Sequence, residues 1–107
     1  MGDKQYKIGY TAGVFDLFHI GHLNLLKGAK KLCDYLIVGI NTDELVTEYK
    51  HKTPIVALHE RMEIVESIRY VDNVVIQSNL DKLEAWERLK YNVLFIGDDW
   101  KGTSRYI

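Results

Sequence analysis

The chain has 107 residues, 47% of them hydrophobic, 11% aromatic and 27% charged, with a formal net charge of −1. That length and apolar share point to one globular domain over residues 1–107 and exclude a disordered polymer. The near-neutral charge excludes the basic footprint of a general nucleic-acid binder, no apolar run approaches the ~18 residues of a membrane span, and a lone cysteine, Cys33, can form neither an internal disulfide nor a cysteine zinc cluster.

The N-terminal Met1-Gly2-Asp3-Lys4-Gln5 lacks the apolar core of a secretory signal, so a cytoplasmic location is expected. Residues 6–12 read as a buried strand that ends at Gly13. From about Gly21, the spacing of Leu25, Leu26, Ala29, Leu32 and Cys33 paints one apolar stripe on a helix. Residues 35–40 are a continuous apolar run, as in a strand covered on both faces. Asn41-Thr42-Asp43-Glu44 looks like a helix start, with acidic residues where the helix dipole favours them. Residues 49–58 have no clear period and are expected to be a loop. Met62, Val65 and Ile68 mark a further helix that should carry both Arg61 and Arg69; a short strand follows at 73–77. Leu83, Trp86 and Leu89 mark the inward face of another helix, which places Trp86 in the core, and 93–96 is the last strand. The order β-α-β-α-α-β-α-β predicts an α/β fold: a Rossmann-like open parallel sheet with helices on both faces. In such sheets ligands bind beyond the carboxyl ends of the strands.

The densest chemistry lies at one of those ends, in Gly13-Val14-Phe15-Asp16-Leu17-Phe18-His19-Ile20-Gly21-His22. His19 and His22, three apart, share one face of a helix start, where unpaired backbone N–H groups already favour an anion. Gly21 leaves room for a phosphate to approach the backbone, and Gly13 allows close approach at the strand end. These parts suit a clamp for a phosphoryl group that gains charge during transfer. The competing readings are two ordinary surface histidines, or a zinc pair lacking its third ligand; no metal site is expected. Neither a Gly-x-Gly-x-x-Gly nor a Gly-Lys-Ser/Thr motif occurs.

Ala12-Gly13-Val14-Phe15-Asp16 with His19-Ile20-Gly21-His22 resembles the signature of the cytidylyltransferase-like nucleotidyltransferases. The segments Asp34 to Glu44, Arg69-Tyr70-Val71-Asp72 and Gly97-Asp98-Asp99-Trp100 are similar to the glycerol-3-phosphate cytidylyltransferase branch. The resemblance implies that CTP and a small phosphorylated alcohol, glycerol 3-phosphate, give CDP-glycerol and pyrophosphate, with Mg²⁺ carried mainly by the nucleotide phosphates. It implies that His19 and His22 hold the triphosphate, that Val14 and Phe15 line the nucleotide site with Gly21, Asp99 and Trp100, and that Asp16 is a supporting carboxylate rather than a base. Lys50 would meet the acceptor phosphate, Lys52 the nucleotide phosphates, and Lys82 the acceptor. Lysines two apart in an extended loop point to the same side; taken alone they read as solvated. Arg61 and Arg69 would support the fold or reach across a subunit boundary, although Glu60, Glu63 and Glu66 offer them ordinary ion pairs. A homodimer touching near Arg69 to Asp72 is also implied.

Two departures qualify the resemblance. The family's final Ser/Thr-rich signature is not found before Ile107, so the C-terminal part of the family fold is expected to be missing. Asn79-Leu80 stands where close relatives carry Asn-Trp. The alternatives are an adenylyltransferase using ATP, phosphocholine or phosphoethanolamine as acceptor, or a non-catalytic nucleotide-binding or oligomerisation module.

Overall fold

The computed structural model describes residues 5–96. Eight elements follow one another: β1 (Tyr6–Gly13), α1 (Ile20–Leu32), β2 (Cys33–Asn41), α2 (Asp43–Lys50), α3 (Leu58–Glu66), β3 (Asn73–Gln77), α4 (Lys82–Leu89) and β4 (Val93–Ile96). The strands form one sheet in the order β3-β2-β1-β4, with every neighbouring pair parallel. The chain therefore steps outward from β1 to β3 and returns to the other side of β1, which puts the change of direction between β1 and β4. Pairing of Gly13 with Ile40, Asn41 with Gln77 and Ala12 with Ile96 brings all four carboxyl ends to one edge.

Alternate residues along the strands feed two cores, one on each face. Leu36, Val38 and Ile40 of β2 and Val93 and Phe95 of β4 pack with Leu26 and Ala29 of α1 and Val65 of α3. Tyr10, Ile37 and Leu94 face the other way, against Ala85 of α4 and Tyr91. The expected helices on both faces are thus present. Burying a large apolar side chain such as Leu26 or Phe95 stabilises the fold by roughly 1.5–3 kcal/mol each.

Local sequence explains where the elements stop. Thr42 caps α2 by accepting from Leu45 N at 3.0 Å, and Asp81 caps α4 by accepting from Leu83 N and Glu84 N at 3.0 and 3.1 Å. The αL residues His51 (φ 61°) and Lys90 (φ 54°) end the same two helices.

Four expectations need correction. Helix α2 runs on through Lys50, so the loop begins at His51 rather than at residue 49. Helix α3 closes at Glu66, where Ser67 N donates to Glu63 O and Ile64 O, so Arg69 stands in the following turn and not on the helix of Arg61. Trp86 is 42% exposed and Leu83 65% exposed, not core. Helix α4 turns Ala85 and Leu89, four apart, toward the sheet, so the small alanine carries the packing. Trp86 instead receives Lys90 Nζ 4.2 Å above its ring. Cys33 is buried as expected, but it is the first residue of β2 rather than part of the α1 stripe.

Candidate functional site

The segment from Gly13 to His22 crosses the carboxyl edge of β1 and folds tightly. Phe15 and Leu17 both hold left-handed backbone, at φ 53° and 52°. Such conformations cost on the order of 1–2 kcal/mol per non-glycine residue and persist where surrounding contacts over-determine them. Here Phe15 is buried in the first core, and its ring stands where a Cβ on Gly13 would come within 3.0 Å. A side chain at position 13 would therefore crowd the Phe15 ring.

The turn delivers His19 to the N-cap of α1. His19 Nδ1 accepts from Gly21 N at 3.0 Å, and His22 Nδ1 accepts from His19 N at 3.1 Å. The two side chains replace the Ser/Thr and Glu/Gln of an ordinary capping box. Because each Nδ1 accepts, the neutral form of each ring carries its proton on Nε2. The rings stand 4.1 Å apart between centroids; His22 is also flanked by Phe15 at 5.4 Å and Phe18 at 5.2 Å. A Cβ on Gly21 would come within 2.8 Å of His19 Cε1. The expected reason for that glycine was room for a phosphate; the structure shows that it makes room for the His19 ring.

Beside this turn lies a cleft of about 400 Å³. Ala12, Gly13, Val14, Phe15, Asp16 and Leu17 form one wall, His22 and Leu25 of α1 another, and Val46, Lys50, Lys52, Thr53, Pro54 and Ile55 the third. Lys50 and Lys52 both line this cleft, but not from one extended loop: Lys50 ends helix α2 and Lys52 stands in the loop after it.

Behind the walls sits Arg61, fully buried. Its Nη1 donates to Val14 O at 2.8 Å and Asn41 O at 2.9 Å, its Nε donates to Val56 O at 2.8 Å, and its Nη2 pairs with the Asp43 carboxylate. The expected partners Glu60, Glu63 and Glu66 are not the ones used. Arg61 instead joins the ends of β1 and β2 to the loop that carries Lys52. Its position four before the buried Val65 is the signal that marks it as inward-facing. Asp16 joins the same loop from the front, accepting from Ile55 N at 2.8 Å and Val56 N at 2.9 Å. Desolvation pushes its carboxyl upward, but the N–H groups of Ile55, Val56 and Leu17 and the Arg61 charge outweigh this and hold it below the usual aspartate value.

The structure thus brings Val14, Phe15, Asp16, His22, Lys50 and Lys52 to one cleft, with the His19 ring tilted against that of His22 and Gly21 close to it. Arg69 is exposed and stacks its guanidinium 5.7 Å over the Tyr70 ring, outside the cleft. Lys82 is the first residue of α4. Asp99 and Trp100 lie outside the described residues. The residues that sequence reasoning missed are the apolar lining, Leu17, Leu25, Val46, Pro54 and Ile55, which carry no chemical signature of their own. Among the described residues, no group of three His, Cys, Asp or Glu side chains is gathered to hold a metal, and no helix is long and apolar enough to cross a membrane.

Comparison with known proteins places this geometry in context. The profile of the cytidylyltransferase-like family matches residues 10–104. The chain is 48% identical over 95 residues to the ethanolamine-phosphate cytidylyltransferase of Dictyostelium discoideum, covering 87% of this chain and 26% of that protein. It is 41% identical over 104 residues to the glycerol-3-phosphate cytidylyltransferase of Bacillus subtilis, covering 91% and 75%. It is 40% identical over 99 residues to the FAD synthase of Pyrococcus abyssi, covering 92% and 66%. The chain thus spans about a quarter of the first relative and three quarters of the second. The crystal structure of the lipopolysaccharide core biosynthesis protein from Thermoplasma volcanium superposes with a TM-score of 0.80 at 28% identity, covering 90% of this chain and 78% of that one.

Proposed function

The chain belongs to the cytidylyltransferase-like family, and from that premise we propose that it transfers the cytidylyl group of CTP to a small phosphorylated alcohol, with glycerol 3-phosphate as the acceptor. The observation that carries the reading is the reciprocal capping of His19 and His22, which fixes two imidazoles 4.1 Å apart at the start of an α-helix, each with Nε2 as the nitrogen that can donate. Such a pair suits the oxygens of a triphosphate whose charge grows as its α–β bond breaks.

In this reaction an oxygen of the acceptor's phosphate attacks the α-phosphorus. A new phosphorus–oxygen bond forms, the bond from the α-phosphorus to the bridging oxygen breaks, and pyrophosphate leaves with that electron pair. The protein needs no nucleophile and no base: the acceptor phosphate is already an anion. His19 and His22 donate to the triphosphate, Lys52 neutralises it, and Lys50 draws the acceptor phosphate into line. Asp16 has both carboxylate oxygens engaged by backbone N–H groups, which fits a supporting role. Mg²⁺ would arrive on the nucleotide, where it neutralises phosphate charge. The proposal extends to Lys82 at the acceptor, to Asp99 and Trp100 at the nucleotide, to a homodimer touching near Arg69 to Asp72 and to a cytoplasmic location.

A second reading is adenylyl transfer from ATP, favoured by the FAD synthase relative; a clamp for phosphates does not itself read the base. The test is pyrophosphate release by this chain with Mg²⁺, supplied with CTP or ATP and with glycerol 3-phosphate or ethanolamine phosphate. Release with CTP and glycerol 3-phosphate supports the proposal. Release with ethanolamine phosphate alone changes the acceptor, release with ATP alone moves the chain to the second reading, and no release with any pair contradicts both.

A further inference from the structure

We propose that Asp16 is a positioning residue for nucleotide capture: by holding the backbone N–H groups of Ile55 and Val56, it sets where Lys52 stands against the histidine-bearing turn. The proposal rests on the reading of the cleft as a nucleotide site.

The argument begins with what holds the loop. After α2 ends at Lys50, residues 51–57 belong to no helix or strand. Thr53 Oγ1 lies 3.4 Å from Thr47 Oγ1, a marginal contact, and Arg61 Nε donates to Val56 O from behind. Asp16 supplies the two shortest side-chain bonds from the cleft side, 2.8 and 2.9 Å, one from each carboxylate oxygen. Bonds to a charged acceptor are about twice as strong as neutral ones.

The second observation is where Asp16 itself sits. Both of its chain neighbours, Phe15 and Leu17, hold left-handed backbone. Unfavourable backbone on each side of one residue persists only where surrounding contacts over-determine it, and it fixes the direction of the residue between. Here the direction carries the carboxylate 39 and 40 residues along the chain to Ile55 and Val56. Lys52 lies three residues before Ile55, and both line the cleft together with Asp16. The histidine turn and the lysine loop therefore form one unit, and the carboxylate is its joint.

A merely structural aspartate and a positioning one differ in coupling. If Asp16 works through the Lys52 loop, removing its carboxylate loses the contribution of Lys52, and removing Lys52 afterwards costs little more. The experiment titrates CTP with Mg²⁺ into the chain and into Asp16→Asn, Lys52→Ala and the double variant, by calorimetry. Each single variant is expected to weaken binding about tenfold, and the double variant to fall within about threefold of the weaker single one. Effects that multiply across the two sites, or an Asp16→Asn variant that binds like the parent, overturn the proposal. Amide hydrogen exchange without nucleotide provides an independent arm: Ile55 and Val56 should exchange faster in Asp16→Asn, and unchanged exchange also overturns it. A parent chain that binds no CTP contradicts the nucleotide reading itself, while the exchange comparison still decides whether the joint exists.

Discussion

The two arms of the cleft are built in opposite ways. The histidine arm organises itself: His19 and His22 cap the helix they belong to, each through a backbone partner within three residues. The lysine arm is held from outside itself, by Asp16 of the loop after β1, 39 and 40 residues away, and by Arg61 of α3, five residues beyond Val56. Local hydrogen bonds make the first arm rigid and legible from a short motif. The second arm is only as well placed as the tertiary structure that grips it. One consequence is that damage to the fold should reach the lysine arm before the histidine arm.

The largest expected effect comes from the self-organised arm. His19→Ala should lower turnover by roughly 10²–10³-fold, as for loss of one transition-state donor. It should cost only about 1 kcal/mol of stability through the lost cap. Steady-state kinetics beside thermal melting would separate the two, and near-normal turnover would remove the clamp assignment. Next comes the gripping residue of the other arm. Arg61→Met strips the donors from three backbone carbonyls and the partner from Asp43, so we expect a loss of about 3 kcal/mol in a denaturant titration. The 52–57 loop should open before the capped start of α1 does, and hydrogen exchange can order these events.

A finer test uses Gly21. Gly21→Ala should leave the melting temperature about unchanged, since the helix propensity of alanine offsets the loss of the His19 cap. Its Cβ would nevertheless displace the His19 ring, and CTP affinity should fall about tenfold. Unchanged affinity would mean the ring position does not matter. The smallest effect is expected from pH. Asp16 has its pKa lowered in the folded chain, so its share of stability is present above the ordinary aspartate value of about 3.9 and is lost as pH falls through the lower folded value. A carboxyl titration followed by nuclear magnetic resonance should find its midpoint below that ordinary value. A midpoint at or above it would contradict the grip on Ile55 and Val56.

Much of this was open to inspection in the sequence, for a physical reason. Apolar runs and three-and-four spacings report burial directly, so the eight elements and their order follow from them. His19 and His22 were visible because a helix start and a pair of imidazoles three apart are both local features. The grip of Arg61 on Asp43 and on three carbonyls was not, because its partners lie up to 47 residues away and nothing in α3 names them. The Glu residues beside Arg61 drew attention to the wrong pairing. Trp86 misled for a related reason: periodicity weights large residues, whereas Ala85 is what lets α4 approach the sheet. Left-handed backbone at Phe15 and Leu17 left no trace, since neither residue type favours it.

The central claim is that His19 and His22 are fixed as a pair of Nε2–H donors that receive the nucleotide's phosphates. It is tested most directly by imidazole ¹⁵N nuclear magnetic resonance of the two histidines, with and without CTP and Mg²⁺. The account predicts that both neutral rings carry the proton on Nε2 before nucleotide is added, and that both Nε2–H signals move when it binds. A proton on Nδ1 of either ring, or Nε2–H signals indifferent to CTP, would contradict it.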